Sequence, residues 1–382
     1  MTNEMADSAD EMTALGADLR AFQHAAVPAS GFVTEAAGFD AQGRHDEAIN
    51  VLARGTKQGD LAAMTLLGKR LLTGDRAPPM AKEGISFLVD AANAGGGEAA
   101  NRLAVLLALG YGVPQSWSNA LDALTVAAER GYRPAQGQLF CLARDRELAA
   151  QALNPNPSQS LWRGLAGTVS VSFWTQTPPG MNILSESPVV THITGFAPPP
   201  VCQWLIELAR DRLAPAMVYD SAAQEVVRHQ TRTNTAAIFD MMSTDLLNVL
   251  LQARISAAVK IPIRQFEAAT VLHYSVGEEI TPHFDFIDPD SADYENQIRT
   301  AGQRAITFLV YLNEEYEGGQ TGFPKLSVEV QGKRGEALFF INALPDGSPD
   351  LRTEHIGAPP RSGEKWIVTQ FIRNRPVFAA AV

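Results

Sequence analysis

Apolar and small residues recur with a period of 36 residues between about Asp46 and Leu142. The positions related by this spacing are Leu52, Leu88 and Leu124; Gly59, Gly95 and Gly131; Ala63, Ala99 and Ala135; and Leu67, Leu103 and Leu139. Leucines indicate faces that point at a partner, small residues indicate close helix contacts, and glycines indicate turns. Each unit is therefore predicted to be a pair of helices, which must stack on neighbouring pairs to bury its apolar face.

The pattern changes in the C-terminal half. A helix is predicted at 201–212, with Leu205 and Leu208 facing inward. After Pro262, short runs rich in β-branched and aromatic residues replace the helical period. The predicted strands are 189–196, 265–274, 305–312, 327–330, 337–341 and 366–372. A helix followed by a cluster of antiparallel strands predicts a jelly-roll core with flanking helices.

A chain of 382 residues is too long for one typical hydrophobic core, so its length predicts two domains. Proline-rich stretches at 154–158, 178–180 and 198–200 interrupt any helix between the two patterns and predict a linker. The expected organisation is an α+β multidomain chain. Its predicted parts are an N-terminal segment (1–45), helical repeats (46–150), a linker (151–188) and a strand-rich domain (189–376).

Composition narrows the functional classes. A hydrophobic content of 46%, with 19% charged residues, is that of an ordinary globular protein. The net charge of -11 argues against non-specific binding to nucleic acid, which depends on cations. The acidic start lacks the pattern of a secretion signal, and no apolar run approaches the ~18 residues of a membrane span. Cys141 and Cys202 form neither a disulfide framework nor a CxxC pair. We expect a cytoplasmic protein without nucleic-acid or membrane partners.

The sequence His283-Phe284-Asp285, followed 70 residues after Asp285 by His355, carries the candidate chemistry. Side chains two apart on a strand share a face, so His283 and Asp285 can reach one ion while Phe284 points away. Two imidazoles and one carboxylate can occupy one face of an octahedral iron and leave three positions free. The alternative is that these are ordinary structural residues, because a HxD pair alone is a weak motif.

Two neighbours of the triad favour the metal site. Lys365 begins an apolar strand, where an inward-facing ammonium requires an anion such as a co-substrate carboxylate. Tyr274 ends an earlier strand and offers a phenolic donor to the same carboxylate. The alternatives are a surface lysine with its stem on apolar neighbours and a core tyrosine.

Both halves resemble known families. The C-terminal half is similar to the prolyl 4-hydroxylase family of 2-oxoglutarate oxygenases from about residue 189 to 373. The segments that carry this resemblance are 201–206, 232–234, 274–277, 281–285, 311–313, 318–324 and 355–366.

The N-terminal repeats resemble the Sel1-like subclass of tetratricopeptide repeats, which implies a curved protein-interaction surface. The alternative is a helical domain that only packs on the catalytic one. The repeat residues that carry this resemblance are Gly68, Gly74, Ala91, Ala92, Gly95, Leu103, Gly110, Tyr111, Gly112, Val113, Ala120, Ala127, Ala128 and Gly131.

The oxygenase resemblance implies a double-stranded β-helix, or jelly roll, and a set of residue roles. The implied iron ligands are His283, Asp285 and His355. Lys365 would bind the distal carboxylate of 2-oxoglutarate, with Tyr274 and Thr307 assisting. Arg304 matches a position that lies near the substrate peptide in the family, although a solvated strand-end arginine is an equal alternative.

The implied reaction is oxidative decarboxylation of 2-oxoglutarate to succinate and carbon dioxide, coupled to hydroxylation. The implied cofactors are Fe(II), 2-oxoglutarate as co-substrate, O2 and ascorbate. Our leading hypothesis is a dioxygenase that hydroxylates proline in a protein or peptide recruited by the repeats. The alternatives are the same chemistry on another peptide residue or a free amino acid, and an inactive oxygenase domain that serves as an adaptor.

Overall fold

The structure is a computed structural model that describes residues 2–24, 30–216, 218–220, 225–227, 232–344 and 346–377. The chain forms two compact units. The helical unit comprises Asp18–Val171 and Met241–Leu250, and the sheet unit comprises the described parts of Met1–Ala17, Ser172–Asp240 and Leu251–Ala379. No helix among the described residues is long and apolar enough to cross a membrane.

The α-helices dominate the first half of the described chain, and three more lie in its second half. They are α1 (Thr2–Gln23), α2 (Gly31–Asp40), α3 (His45–Lys57), α4 (Leu61–Thr73), α5 (Ala81–Asn93), α6 (Gly97–Leu109), α7 (Trp117–Glu129), α8 (Arg133–Leu142), α9 (Arg146–Ala150), α10 (Gln159–Thr168), α11 (Val171–Thr175), α12 (Pro199–Arg210), α13 (Leu246–Val259) and α14 (Tyr294–Ala301).

The repeated helix pairs confirm the predicted period. The first helices, α3, α5 and α7, begin at 45, 81 and 117, and the second helices, α4, α6 and α8, begin at 61, 97 and 133. Both series therefore keep the 36-residue spacing. The repeated leucines Leu52, Leu88 and Leu124 are fully buried, as are the repeated alanines at 63, 99 and 135. The glycines between the two helices of each pair have positive φ angles, which glycine adopts without steric cost.

Arg102 in α6 holds an additional segment within the helical unit. Its guanidinium donates hydrogen bonds to the backbone carbonyls of Met241, Met242 and Thr244 at 3.0 Å each. This segment therefore packs with the helical repeats although it comes from the predicted 189–376 domain. The exact domain boundaries remain a prediction.

The sheet unit contains an eight-stranded antiparallel sheet, a four-stranded antiparallel sheet and two antiparallel sheets of two short strands each. Its strands are β1 (Met181–Glu186), β2 (Val189–Ile193), β3 (Ala214–Pro215), β4 (Val218–Asp220), β5 (Glu225–Val227), β6 (Thr235–Phe239), β7 (Ala269–Tyr274), β8 (Ile280–His283), β9 (Arg304–Tyr311), β10 (Tyr316–Gly318), β11 (Thr321–Phe323), β12 (Val328–Val330), β13 (Ala337–Ile341), β14 (His355–Gly357), β15 (Pro360–Gly363) and β16 (Lys365–Arg373).

The large sheet has the order β1-β2-β13-β9-β16-β7-β6-β3, and the small sheet has the order β12-β11-β14-β8. Buried residues of both sheets, including Leu272, Leu309, Phe323, Phe340 and Ile367, form one apolar cluster. The two sheets therefore face each other across a shared core, which confirms the predicted jelly roll. The site described below lies along this core.

The stretch expected to be a linker contains regular structure. Helix α10 buries Leu161, Trp162 and Leu165, and strand β1 pairs with β2. The sequence indicated the strand at 189–196 as the first one, but β1 precedes it. Strand β1 escaped detection because it is an edge strand whose residues are largely exposed, so it lacks a buried apolar face. In α12, Leu205 is buried as expected, whereas Leu208 is partly exposed.

Close backbone contact between α4 and α5 gives a stability prediction. A Cβ atom on Gly84 would lie 2.6 Å from Leu72 N and 2.7 Å from Gly68 O. We expect Gly84→Ala to lower the free energy of unfolding by ~1–3 kcal/mol, because overpacking outweighs the helix preference of alanine. Denaturant titration followed by circular dichroism measures this change.

The matched control is Gly38→Ala, which introduces the same methyl group into α2 where nothing lies within 4 Å. This control should leave the helical unit at least as stable as the parent chain, since alanine favours a helix by up to ~1 kcal/mol over glycine. Equal stability of the two variants would contradict the predicted close contact.

Candidate active site

Two histidines face each other across the small sheet. His283 is the last residue of β8, His355 is the first residue of β14, and the two are direct antiparallel partners. Their ring centroids are 4.2 Å apart. The fold thus brings together the two predicted imidazoles, which no local sequence pattern could have aligned.

Asp285 completes the predicted triad from the loop that follows β8. Its Oδ1 lies 3.6 Å from His283 Nε2, and its Oδ2 lies 3.3 Å from His355 Nε2. The three candidate ligand atoms all lie within 4.8 Å of one another. Phe284 stacks on Phe286 at 4.8 Å between ring centroids, as expected for a side chain outside the triad.

Backbone carbonyls determine the tautomers of both imidazoles. Nδ1 of His283 lies 2.9 Å from the carbonyl oxygen of Thr281, and Nδ1 of His355 lies 3.0 Å from that of Thr353. A carbonyl oxygen can only accept a hydrogen bond, so each Nδ1 carries the proton. Each Nε2 is then left with a lone pair that points at Asp285, as a metal-binding imidazole requires.

The charge state of the triad also suits a cation. Burial opposes ionisation of Asp285, but His355 and His283 outweigh it and hold the pKa of the carboxyl group well below its usual range. Burial also opposes protonation of His283, yet Asp285 raises the pKa of that imidazole overall, so a metal ion has to displace a proton from its Nε2. Two nitrogen donors and one ionised carboxylate fit a non-haem Fe(II) centre and leave three coordination positions free.

Lys365 and Tyr274 face each other as cross-strand partners of β16 and β7. Lys365 is only 1% exposed, and its ammonium lies 5.3 Å from the centre of the Tyr274 ring. Burial lowers the pKa of Lys365 to about 7. Among the residues that the structure describes, Lys365 has no ion-pair partner, so a bound anion would restore the interactions that burial removes.

One open cavity is lined by the triad together with Lys365 and Tyr274. Thr321 and Arg232 also line it, and the sequence analysis assigned a role to neither. Tyr311 donates its hydroxyl proton to Thr321 Oγ1 at 3.0 Å, which leaves the proton of Thr321 available to a ligand. Thr321 could have been noticed because it lies in the 318–324 segment that carries the family resemblance. Its orientation toward the cavity depends on the pairing of β11 with β14, which the sequence does not show.

Thr307 contacts the triad directly. It is fully buried and donates a hydrogen bond from Oγ1 to Asp285 Oδ2 at 2.8 Å. The same oxygen accepts a hydrogen bond from Asn342 Nδ2 at 2.9 Å. The only hydroxyl proton of Thr307 is directed at Asp285. Its expected role beside Lys365 stays a prediction.

Arg304 is paired with Glu267, which lies two residues before β7. Its Nε and Nη2 atoms donate to the two carboxylate oxygens of Glu267 at 2.8 and 2.9 Å, and its guanidinium lies 4.0 Å from the centre of the Phe371 ring. Arg373 contacts the same carboxylate. Arg304 is therefore paired with Glu267 in this structure, and its expected place near the substrate stays a prediction.

Comparison with known proteins identifies the sheet unit. Residues 269–373 match the model of the 2OG-Fe(II) oxygenase superfamily. A probable prolyl 4-hydroxylase of Arabidopsis thaliana is 30% identical over 213 residues, which cover 50% of this chain and 71% of the relative. The chain belongs to the prolyl 4-hydroxylase family. It is a 2-oxoglutarate-dependent dioxygenase that uses Fe(II), 2-oxoglutarate and O2, which confirms the enzyme class expected from the sequence.

Two solved structures show partial similarity. A viral collagen prolyl hydroxylase from Paramecium bursaria Chlorella virus-1, solved with 2-oxoglutarate, is 26% identical, with a TM-score of 0.38, and the match covers 48% of this chain and 94% of that structure. A Sel1 repeat protein from Oxalobacter formigenes is 23% identical, with a TM-score of 0.25, and the match covers 32% of this chain and 64% of that structure.

The buried lysine gives a prediction about pH. Only the protonated ammonium attracts the dianionic co-substrate, and burial holds the pKa of Lys365 at about 7 in the free enzyme. We therefore expect the affinity for 2-oxoglutarate to fall as pH rises above neutrality, by up to about tenfold for each pH unit. Calorimetric titration of the iron-loaded, oxygen-free enzyme in neutral to alkaline buffers measures this dependence.

Lys365→Arg is the control, because a guanidinium keeps its charge throughout this range. This variant should bind 2-oxoglutarate less tightly at neutral pH, since its geometry differs, but should show a flatter pH dependence. The same slope in both proteins would assign the pH dependence to other groups.

Proposed function

We propose that this enzyme hydroxylates proline in a protein or peptide, and that His283, Asp285 and His355 hold its iron. The observation that carries the proposal is the presence of all three donors and the buried Lys365 around one cavity. Relatives described as prolyl 4-hydroxylases, at 28–30% identity, support proline as the target.

Each residue has a defined task in this proposal. Lys365 binds the distal carboxylate of 2-oxoglutarate, and Tyr274 and Thr321 donate hydrogen bonds to it. Burial raises the pKa of the Tyr274 hydroxyl, which therefore keeps its proton for donation. Apolar side chains of the cavity wall, including Leu272, Leu309 and Ile367, exclude water from the reacting groups.

When bound, the iron and 2-oxoglutarate would supply oxidative chemistry with O2: 2-oxoglutarate would be converted to succinate and carbon dioxide, one oxygen atom of O2 entering succinate and the other a C–H bond of the target. The low pKa of Asp285 keeps its carboxylate ionised for the cation. The carbonyls of Thr281 and Thr353 keep the proton on Nδ1 of each histidine and so prevent Nε2 from being protonated in the neutral imidazole.

The proposal extends to the partner and the location of the enzyme. The helical repeats are assigned the task of recruiting a protein substrate, which is supported by their resemblance to interaction repeats. A cytoplasmic location is supported by the two cysteines, Cys141 and Cys202, which are both buried as free thiols. Cell fractionation with detection of the intact chain tests this location.

Removing a proposed iron ligand should abolish turnover. We expect His283→Ala and Asp285→Ala to reduce succinate formation to background, because the metal loses one of three ligands. His192→Ala is the matched control, since this histidine lies on β2 and contacts Glu336 instead of the triad. Full activity of His283→Ala would contradict the assignment of the iron ligands.

The substrate assignment is tested by mass spectrometry of lysate proteins incubated with the enzyme, Fe(II) and 2-oxoglutarate. The expected product carries the mass of one oxygen atom on a proline residue and is missing with Asp285→Ala. Oxidation confined to another residue or to a small molecule would contradict the proline assignment.

Recruitment by the repeats is tested by kinetics once a substrate is identified. It predicts a higher kcat/KM for the intact substrate protein than for the proteolytic peptide that contains the target proline. Equal values would contradict recruitment.

A further inference from the structure

Asp285 is the triad member that the backbone holds least firmly. His283 and His355 belong to paired strands, whereas Asp285 lies two residues beyond the end of β8. A carboxylate in a loop can rotate about its side-chain bonds, so its direction must come from contacts made by its oxygens. Among the described residues, the hydroxyl of Thr307 donates a hydrogen bond to Asp285 Oδ2.

Thr307 is a rigid donor. It lies within β9, between Phe340 of β13 and Phe371 of β16, so hydrogen-bonded strands flank it on both sides. Its β-branched side chain has restricted rotation, and its burial leaves no water to compete for the hydroxyl. The hydroxyl proton therefore has one fixed direction, toward Asp285 Oδ2.

Asn342 determines that direction. Its side-chain amide donates to Thr307 Oγ1 at 2.9 Å, so the threonine oxygen acts as an acceptor on that side and as a donor toward Asp285. Asn342 is fully buried, and its backbone N–H donates to the carbonyl of Ala305 at 2.8 Å. Its backbone carbonyl accepts from the N–H of Asp350 at 2.9 Å.

Asn342 is also linked, through Asp350 and Thr353, to the hydrogen bond that orients His355. The carbonyl of Asp350 accepts a hydrogen bond from the Thr353 hydroxyl at 2.7 Å, and the carbonyl of Thr353 accepts from His355 Nδ1 at 3.0 Å. One continuous set of hydrogen bonds therefore runs from Asp285 through Thr307 and Asn342 to His355. Two of the proposed metal ligands, one in the loop after β8 and one in strand β14, are therefore supported by connected residues.

We propose that Thr307 and Asn342 are positioning residues that orient the Asp285 carboxylate for metal binding. This inference rests on the proposed function, in which Asp285 is an iron ligand. Hydrogen-bond partners of metal ligands typically contribute 10–100-fold to metal affinity or activity. The inference assigns to Thr307 a task on the metal side of the cavity and none on the co-substrate.

The test is an oxygen-free titration of the full chain with Co(II), whose visible spectrum reports both affinity and coordination, without 2-oxoglutarate. We expect Thr307→Val, which replaces the hydroxyl with a methyl group of similar size, to weaken Co(II) binding by about 10–100-fold and to change the spectrum. Thr307→Ser restores the hydroxyl and should restore both signals to near the parent values. Asn342→Leu should weaken binding in the same direction, and it provides a second variant if Thr307→Val fails to fold.

Thr369→Val is the matched control, because it makes the same substitution on the neighbouring strand β16, where no described residue forms a hydrogen bond with the buried hydroxyl. It should leave Co(II) binding unchanged. Unchanged Co(II) affinity in Thr307→Val, or an equal loss in Thr307→Val and Thr369→Val, would overturn the inference. A higher KM for 2-oxoglutarate with normal Co(II) affinity would also overturn it and return Thr307 to the co-substrate side. Failure of the parent chain to bind Co(II) would instead contradict the proposed iron site itself.

Discussion

Strands β8 and β14 lie side by side as an antiparallel pair, with His283 directly opposite His355. This register is the constraint on which the site depends, because a shift of one residue would turn one imidazole to the opposite face of the sheet. The small sheet that contains both strands packs its core residues against those of the large sheet. Burial of that common core therefore fixes the register and brings residues more than 70 positions apart to within ligand distance of Asp285.

The site contains two buried charged groups, Asp285 and Lys365, that do not form an ion pair with each other. Asp285 interacts with two imidazoles and a hydroxyl, whereas Lys365 is buried among aromatic rings without an ion-pair partner in the described part of the chain. Such groups cost free energy in the folded protein until ligands of opposite charge arrive. Ligands that bind only the folded state increase its stability, by ~2.7 kcal/mol at a concentration of 100 times Kd. Binding and folding of the sheet unit are therefore linked through the same buried groups.

The sequence predicted the parts of this molecule that depend on spacing along the chain. The 36-residue period defined the repeated helices, and the strand pattern with His283, Asp285, His355 and Lys365 indicated the jelly roll and its chemistry. The sequence could not show which partners tertiary pairing brings to a residue. Arg304 is neutralised by Glu267 from another segment, and the role of Thr307 depends on which side of β9 faces the loop after β8. Edge strand β1 was missed because exposed residues give no alternating burial pattern.

Both histidines are oriented by the carbonyl of the residue two positions earlier, Thr281 for His283 and Thr353 for His355. Every amino acid supplies a backbone carbonyl, so replacement of either threonine side chain leaves the acceptor itself in place. The protonation pattern of the imidazoles is thus encoded in the course of the main chain. A centre built in this way tolerates drift in the residues next to its ligands, and evolution can remodel the cavity around it while the chemistry persists.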